Sequence, residues 1–301
     1  MKWHPFRIPK EQIDSFRKRG YVYFPHFFPA ELVSGLREMS DKMSSQAFSI
    51  LESSRAAGVS LSDRAKTGSV ELIVVPEESS PTQVCRYEFM IGSDSKFKEF
   101  VRDCLGSAVS ELVGESVSPF KDKTNEKLPG GGAFGPHQDF AAYRAFKPRY
   151  HATALLTIDP ATIPNGCVQF ATNFHELIAA KPTFVLDTIE GKALLHYNHG
   201  GPHHGDIRAD ITAELRWQSL QTRPVDLVVF DSFAPHYSSA NTSTKSRRAI
   251  FVTFNRASDG SLYDEYYVDK RLNYDDPKFH ISTPTSHRSI AGVPFDKSVH
   301  D

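Results

Sequence analysis

The sequence predicts a single α+β domain, mainly β, with a β-sandwich or open barrel at its centre and helices packed on it. Helical periodicity is concentrated before residue 115, and short strand-like runs dominate beyond residue 118. No internal repeat, low-complexity tract or linker divides the 301 residues. A chain of that length can bury a sizeable core as one domain. The expected layout is helical support over about 1–115, a β core over about 116–258 and a C-terminal extension over 259–301.

Each element has a local reason. Residues 10–19 place Ile13 and Phe16 on one face of a short amphipathic helix, which Gly20 stops. Residues 21–24 read as a strand. Pro29 sits near the first turn of a second helix, expected to run through Met43. Residues 45–70 read as helix and loop, and 71–75 as a strand. Phe97, Phe100, Val101, Leu105, Val109 and Leu112 recur at helical spacing over 96–114. Beyond them the runs 120–128, 151–158, 167–170, 227–230 and 248–254 read as strands, with Gly/Pro/Asn punctuation at 128–132 and 164–166.

Composition narrows the function. A net charge of −1 gives no basic surface for a nucleic acid. Cys85, Cys104 and Cys167 are odd in number and widely spaced, which argues against a disulfide scaffold and fits a reducing compartment. No apolar run approaches the length that spans a bilayer, and residues 1–7 show no apolar segment of a secretory signal. A cytoplasmic enzyme acting on a small molecule is expected, without nucleic-acid or membrane partners; a homo-oligomer stays open.

One constellation carries chemistry. His137-Gln138-Asp139 is followed far downstream by His236. Two imidazoles and one carboxylate form the facial ligand set of non-haem Fe(II) sites, which leaves adjacent coordination positions open. On an extended strand residues 137 and 139 share a face, so Gln138 would point away. A bare His-x-Asp is common by chance, and its bland reading is two surface polar residues beside an unrelated buried histidine. The glycine-rich turn before it and the Asp231–Ser238 segment after it outweigh that reading.

The segments Glu11-Gln-Ile-Asp-Ser-Phe-Arg-Lys-Arg-Gly20-Tyr-Val, Phe27-Phe-Pro-Ala-Glu-Leu32, Asn165-Gly166-Cys-Val and His236 to Arg247 resemble the phytanoyl-CoA dioxygenase-type family. Phe120-Lys-Asp-Lys-Thr-Asn-Glu-Lys-Leu-Pro-Gly-Gly-Gly132, Pro136-His-Gln-Asp139, Asn255-Arg-Ala-Ser-Asp-Gly260 and Tyr266-Tyr-Val-Asp-Lys-Arg271 resemble its branch oxidising 2-(trimethylammonio)ethylphosphonate and 2-aminoethylphosphonate. The resemblance covers most of the chain, weakly over 45–95 and 176–215. It implies a double-stranded β-helix (a cupin-like jelly-roll), Fe(II), 2-oxoglutarate as co-substrate and O₂. His137, Asp139 and His236 would be the metal ligands.

The resemblance also places an arginine eleven residues after the distal histidine, which lands on Arg247. A guanidinium takes a carboxylate bidentately. Arg248 is adjacent, and strand parity cannot choose between them because both faces of 247–255 carry apolar residues. Ser238 matches a hydroxyl that the family uses for the same carboxylate; its bland reading is a turn serine. Lys127 and Thr157 are further candidates on neighbouring strands. Asn165-Gly166 reads as a structural turn. Val225-Asp226 departs from the family, where glycine usually precedes that aspartate.

Tyr143, Arg144, Lys147, Arg149 and Tyr150 could meet an anionic head group and an ammonium, against the reading of a solvated loop. His196, His199, His203 and His204 could form a second metal site or a lid over substrate, with His203 and His204 as contacts; a plain surface loop is the leading reading. The expected activity is hydroxylation of a small charged substrate, an aminoethylphosphonate-type compound at the carbon next to phosphorus. The alternatives are a tailoring oxygenase (hydroxylation, desaturation or ring closure) and a cupin-like binding module. Several cations around the open metal position would favour the phosphonate, and an apolar funnel the tailoring role.

Overall fold

The computed structural model describes residues 7–280 apart from 79 and 202. Residues 1–6 and 281–301, which include most of the opening segment and half of the expected C-terminal extension, lie outside the described residues.

In chain order the first strands are β1 (Tyr21–Phe24), β2 (Ile73–Glu77), β3 (Ser80–Glu88), β4 (Val117–Lys127), β5 (Phe134–His137) and β6 (His151–Thr157). They are followed by β7 (Val168–Ala171), β8 (Val185–Ile189), β9 (Lys192–Leu195), β10 (Trp217–Leu220), β11 (Leu227–Asp231), β12 (His236–Ser238) and β13 (Arg247–Arg256). One sheet has the order β1-β11-β6-β13-β4-β3-β2, and a second has the order β10-β7-β12-β5; β8 and β9 form a separate hairpin. The inner faces meet through Leu155, Val228, Phe230 and Ala249 of the large sheet and Val168 and Phe170 of the small one. Two antiparallel sheets closed in this way are a jelly-roll, which leaves few open edges.

Helices cover the outer face of the large sheet. The helix Ala30–Ala57 buries Leu36, Met43, Ala47 and Leu51 and ends at Gly58 in the left-handed region. It runs fourteen residues beyond the expected end at Met43. Ser45, Ser49 and Ser53 donate to carbonyls four residues back on its exposed face. Serine weakens helix propensity, so the sequence signal fades there, while packing of Ala47 and Leu51 carries the helix on. The expected helix over 96–114 is present as Ser95–Phe100 and Gly106–Val113, joined by a π-helical turn at Val101–Leu105.

The helix Tyr263–Leu272, in the expected extension, docks on the large sheet through the fully buried Lys270. Its ammonium donates to Glu88 at 2.7 Å, and Arg86 lies 3.0 Å from the same carboxylate. Burial would raise the Glu88 carboxyl, but Lys270 and Arg86 outweigh it and hold it far below the ordinary value of 4.5. Removing one partner of such a pair strands a buried charge. Lys270→Met is therefore expected to cost about 3–5 kcal/mol, read as a lower urea midpoint. Because the folded-state value of Glu88 is depressed, its contribution is present above about pH 4.5 and is lost as pH falls below it.

Candidate metal centre

Strands β5 and β12 pair antiparallel with His137 directly opposite His236, and the two rings lie 4.3 Å apart. Asp139 is not on the strand, contrary to the alternation expected from sequence. β5 ends at His137, and Asp139 has helical torsions (φ −55, ψ −29) at the start of the turn Phe140–Tyr143. The turn forms because Ala142 N and Tyr143 N bond back to the Asp139 carbonyl while Phe140 N reaches Ser232. Gln138 does point away. Its amide donates to Ala193 O and Phe233 O, and its carbonyl accepts from Leu195 N, which ties β9 to the triad.

One donor atom from each of His137, Asp139 and His236 lies within 4.8 Å of the other two, and all three residues are buried. This is the only such cluster among the described residues, so His196, His199, His203 and His204 do not gather into a second one. His137 Nδ1 lies 2.6 Å from Gly135 O and His236 Nδ1 3.0 Å from Ala234 O. With each Nδ1–H given to a carbonyl, both Nε2 lone pairs are free to bind a metal. Burial, then the neighbouring His137, pushes His236 down to about 3, which keeps it neutral. Burial would raise Asp139, but His137 and His236 hold it well below the carboxylate range. A neutral imidazole pair with an ionised carboxylate and no thiolate fits a ferrous ion.

Beside the triad, a cavity is lined by residues of both sheets, among them Lys123, Asn125, Phe134, Thr157, Val168 and Arg247. Arg247 is buried, its Nη2 donates to Gly166 O, and its Nε has no partner. No carboxylate lies within ion-pair distance of it among the described residues, and burial lowers it to about 10. Gly166 adopts φ +75, and a Cβ there would overlap Ser239 O, so the Asn165-Gly166 turn supports the arginine. Lys127, opposite Arg247 in register, donates to Ser238 Oγ at 2.9 Å and to Ser239 O at 2.5 Å. Thr157 bonds Thr222 across 3.3 Å. Arg248 faces outward, paired with Asp159 and Asp41 beside the helix Ala30–Ala57. An uncompensated buried guanidinium at the far end of the cavity fits the distal carboxylate of 2-oxoglutarate.

The other predicted substrate contacts spread out. Tyr143 is buried, with its hydroxyl 3.4 Å from Thr253. Arg144 is exposed and paired with Asp187, Tyr150 packs against Arg256 and Lys192, His203 sits 3.0 Å from Asp206, and His204 accepts from Gly200 N. None of these four lines the cavity. Lys121 and Lys123 were missed. Their signal was the recurrence of lysine at 121, 123 and 127, alternating with the acids Asp122 and Glu126, which puts the lysines on one face of β4.

A histidine–carboxylate–histidine cluster inside a jelly-roll, with a buried arginine at its cavity, defines the class of Fe(II)/2-oxoglutarate dioxygenases. The model of the family "Phytanoyl-CoA dioxygenase (PhyH)" matches residues 16–249, and the chain belongs to that family. A 2-aminoethylphosphonate dioxygenase from the uncultured bacterium HF130_AEPn_1 is 38% identical over 192 residues, covering 64% of this chain and 66% of that protein, just under two thirds of its length. A methylphosphonate hydroxylase of Gimesia maris is 28% identical over 274 residues, covering 89% and 88%. The crystal structure of EctD from S. alaskensis with 2-oxoglutarate and 5-hydroxyectoine superposes with a TM-score of 0.61 at 16% identity, covering 86% of this chain and 80% of that one. No described helix is long and apolar enough to cross a membrane.

Metal analysis after anaerobic loading with Fe(II) is expected to give one ion per chain. His137→Ala and His236→Ala should each lose it; full retention in either variant would remove that histidine from the ligand set.

Proposed function

We propose that the protein hydroxylates a small phosphonate of the aminoethylphosphonate type at the carbon next to phosphorus, using Fe(II), 2-oxoglutarate and O₂. The observation that carries this is one cavity lined by His137 and His236 of the metal cluster together with the cations Lys123 and Arg247, neither of which has an ion-pair partner among the described residues. The two phosphonate-acting relatives support the substrate class.

His137, Asp139 and His236 would hold the iron, which with 2-oxoglutarate and O₂ supplies the oxidising power to break an unactivated C–H bond. Arg247 would take the distal carboxylate of 2-oxoglutarate. Lys127 donates to the Ser238 oxygen, which leaves the serine O–H free to donate to that same carboxylate. Gly135 and Ala234 carbonyls fix both imidazoles, so neither ring must reorient when a metal binds. Phe134, Leu155, Val168 and Phe251 line the cavity with apolar surface and limit water around the reacting carbon. The cations fit this reading better than a tailoring role on a large apolar molecule.

Succinate release measured across phosphonates, quaternary amines and amino acids should be highest with a phosphonate; a preference for an uncharged substrate would end the proposal. Arg247→Ala should raise the KM for 2-oxoglutarate at least 30-fold, corresponding to about 2 kcal/mol or more for truncating a buried charge partner. Arg248→Ala should leave it within about threefold, since Arg248 points away from the cavity and is paired with Asp159 and Asp41. The reverse ranking would reassign the anchor.

A further inference from the structure

The inner face of the large sheet is built from rows of side chains that cross the strands. Lys121 lies opposite Thr253, which lies opposite Thr153; Lys123 lies opposite Phe251 and, on the other side, Glu88; Asn125 lies between Arg86 and Ala249. Lys127 and Arg247 close the series at the cofactor end. Lys121 and Lys123 thus share the face that holds the cavity, and Lys123 lines it together with His137 and His236.

Charge accounting singles these two lysines out. Glu88 is already hydrogen-bonded to Lys270 and in contact with Arg86. Asp139 belongs to the metal cluster. Asp122 points to the opposite face of β4, where it accepts from Met90 N, Ile91 N and Tyr263 Oη. Neither the Lys121 nor the Lys123 ammonium has a hydrogen-bond or ion-pair partner among the described residues. Glu88 and Asp139 act on both only through space, and aromatic faces lie beside them: Lys121 lies 5.3 Å from the Tyr266 ring centroid and 5.6 Å from that of Tyr143, and Lys123 lies 5.0 Å from that of Phe251. Burial, then Lys121, lowers Lys123 to about 8. Lys121 is buried and Lys123 half-buried; two adjacent cations with so little access to water repel each other and favour an anion.

The cofactor does not supply that anion. Positions 123 and 127 are about 13 Å apart along an extended strand, and a five-carbon diacid reaches roughly 6 Å end to end. With its distal carboxylate on Arg247, 2-oxoglutarate cannot also satisfy Lys121 and Lys123.

We infer that Lys121 and Lys123 form a dianion subsite that binds the phosphonate group of the substrate and so holds the adjacent carbon toward the metal cluster. The inference rests on the proposed reaction and adds its specificity determinants. A dianionic head group matches two ammoniums, whereas a monoanionic carboxylate leaves one charge unanswered. The Tyr143 and Tyr266 rings, which flank Lys121, orient that side chain.

The test uses the full chain and methylphosphonate as probe, with binding followed by calorimetry under anaerobic conditions. It is run with Fe(II) and 2-oxoglutarate present, and again with neither. Wild-type protein should bind methylphosphonate, and Lys121→Met and Lys123→Met should each weaken binding at least tenfold. Lys123→Arg should stay within threefold. Ligand-free Tm should hold or rise in the Met variants, because each removes one of two neighbouring cations that have no ion-pair partner.

Absence of binding in both wild-type forms, binding within twofold of wild type in the Met variants, or a large fall in their Tm would each overturn the subsite. Lysine-dependent binding without turnover of any phosphonate would keep the subsite and remove the proposed reaction. Phosphonate turnover at unchanged KM in both Met variants would do the opposite.

Discussion

Burial of charge inside the barrel is the constraint on which this structure depends. A β-sheet closed on itself turns one face of each strand inward, and here that face is ionic along β3 and β4 rather than apolar. Glu88 has no exposed surface, and its two cationic contacts are Arg86, two residues back on β3, and Lys270, far along the chain on the helix Tyr263–Leu272. The ion pair therefore fixes where that helix docks. Tyr263 and Tyr267 follow, bonding Asp122 on the far side of β4. Arg271 donates to Ala65 O and Glu71 O and ties the same helix to the N-terminal support.

The same constraint organises the two ends of the cavity. Along β4 and β13 Arg247 and Lys127 stand side by side at one end of the inner row and Lys121 and Lys123 at the other; of these, Arg247 and Lys123 line the cavity. Between them the metal cluster supplies one carboxylate. A protein interior tolerates such an excess of positive charge when anionic ligands complete it, which is the basis for proposing a diacid at Arg247 and an anionic head group at Lys121 and Lys123. Pairing of β5 with β12 then sets the reacting centre between the two, because that ladder brings His137 opposite His236.

Rigidity around the cluster comes from short backbone connections. The loop after β9 returns along β5, with Ile207 N bonded to Pro136 O. Gly135 has no side chain because the Asp206 carboxylate occupies that space. Gln138 joins β9 and the Phe233 turn in a single amide. The residues around His137 are thus held by the 206–207 loop, by β9 and by the Phe233 turn, which fixes that imidazole in place.

The sequence by itself determined the features that repeat locally or carry distinctive chemistry. Helical spacing announced the N-terminal supports, short strand-like runs between turn residues announced β4, β6, β7, β11 and β13, and the His-x-Asp pair with His236 announced a metal cluster. Turn residues marked Gly166, although not that its carbonyl holds Arg247. Tertiary structure decided what depends on contacts far apart in the chain. It set Arg247 inward and Arg248 against Asp159, a choice parity could not make because both faces of β13 are buried. It turned Asp139 off its strand, extended the second helix through a serine-rich stretch, and formed β3, β5, β10 and β12 from segments with weak local signals. It also brought Lys270 to Glu88 across 182 positions. Lysine at alternate positions along β4 was visible, yet a lysine-rich face normally reads as solvated; only closure of the barrel turned that face inward, burying Lys121 and half-burying Lys123.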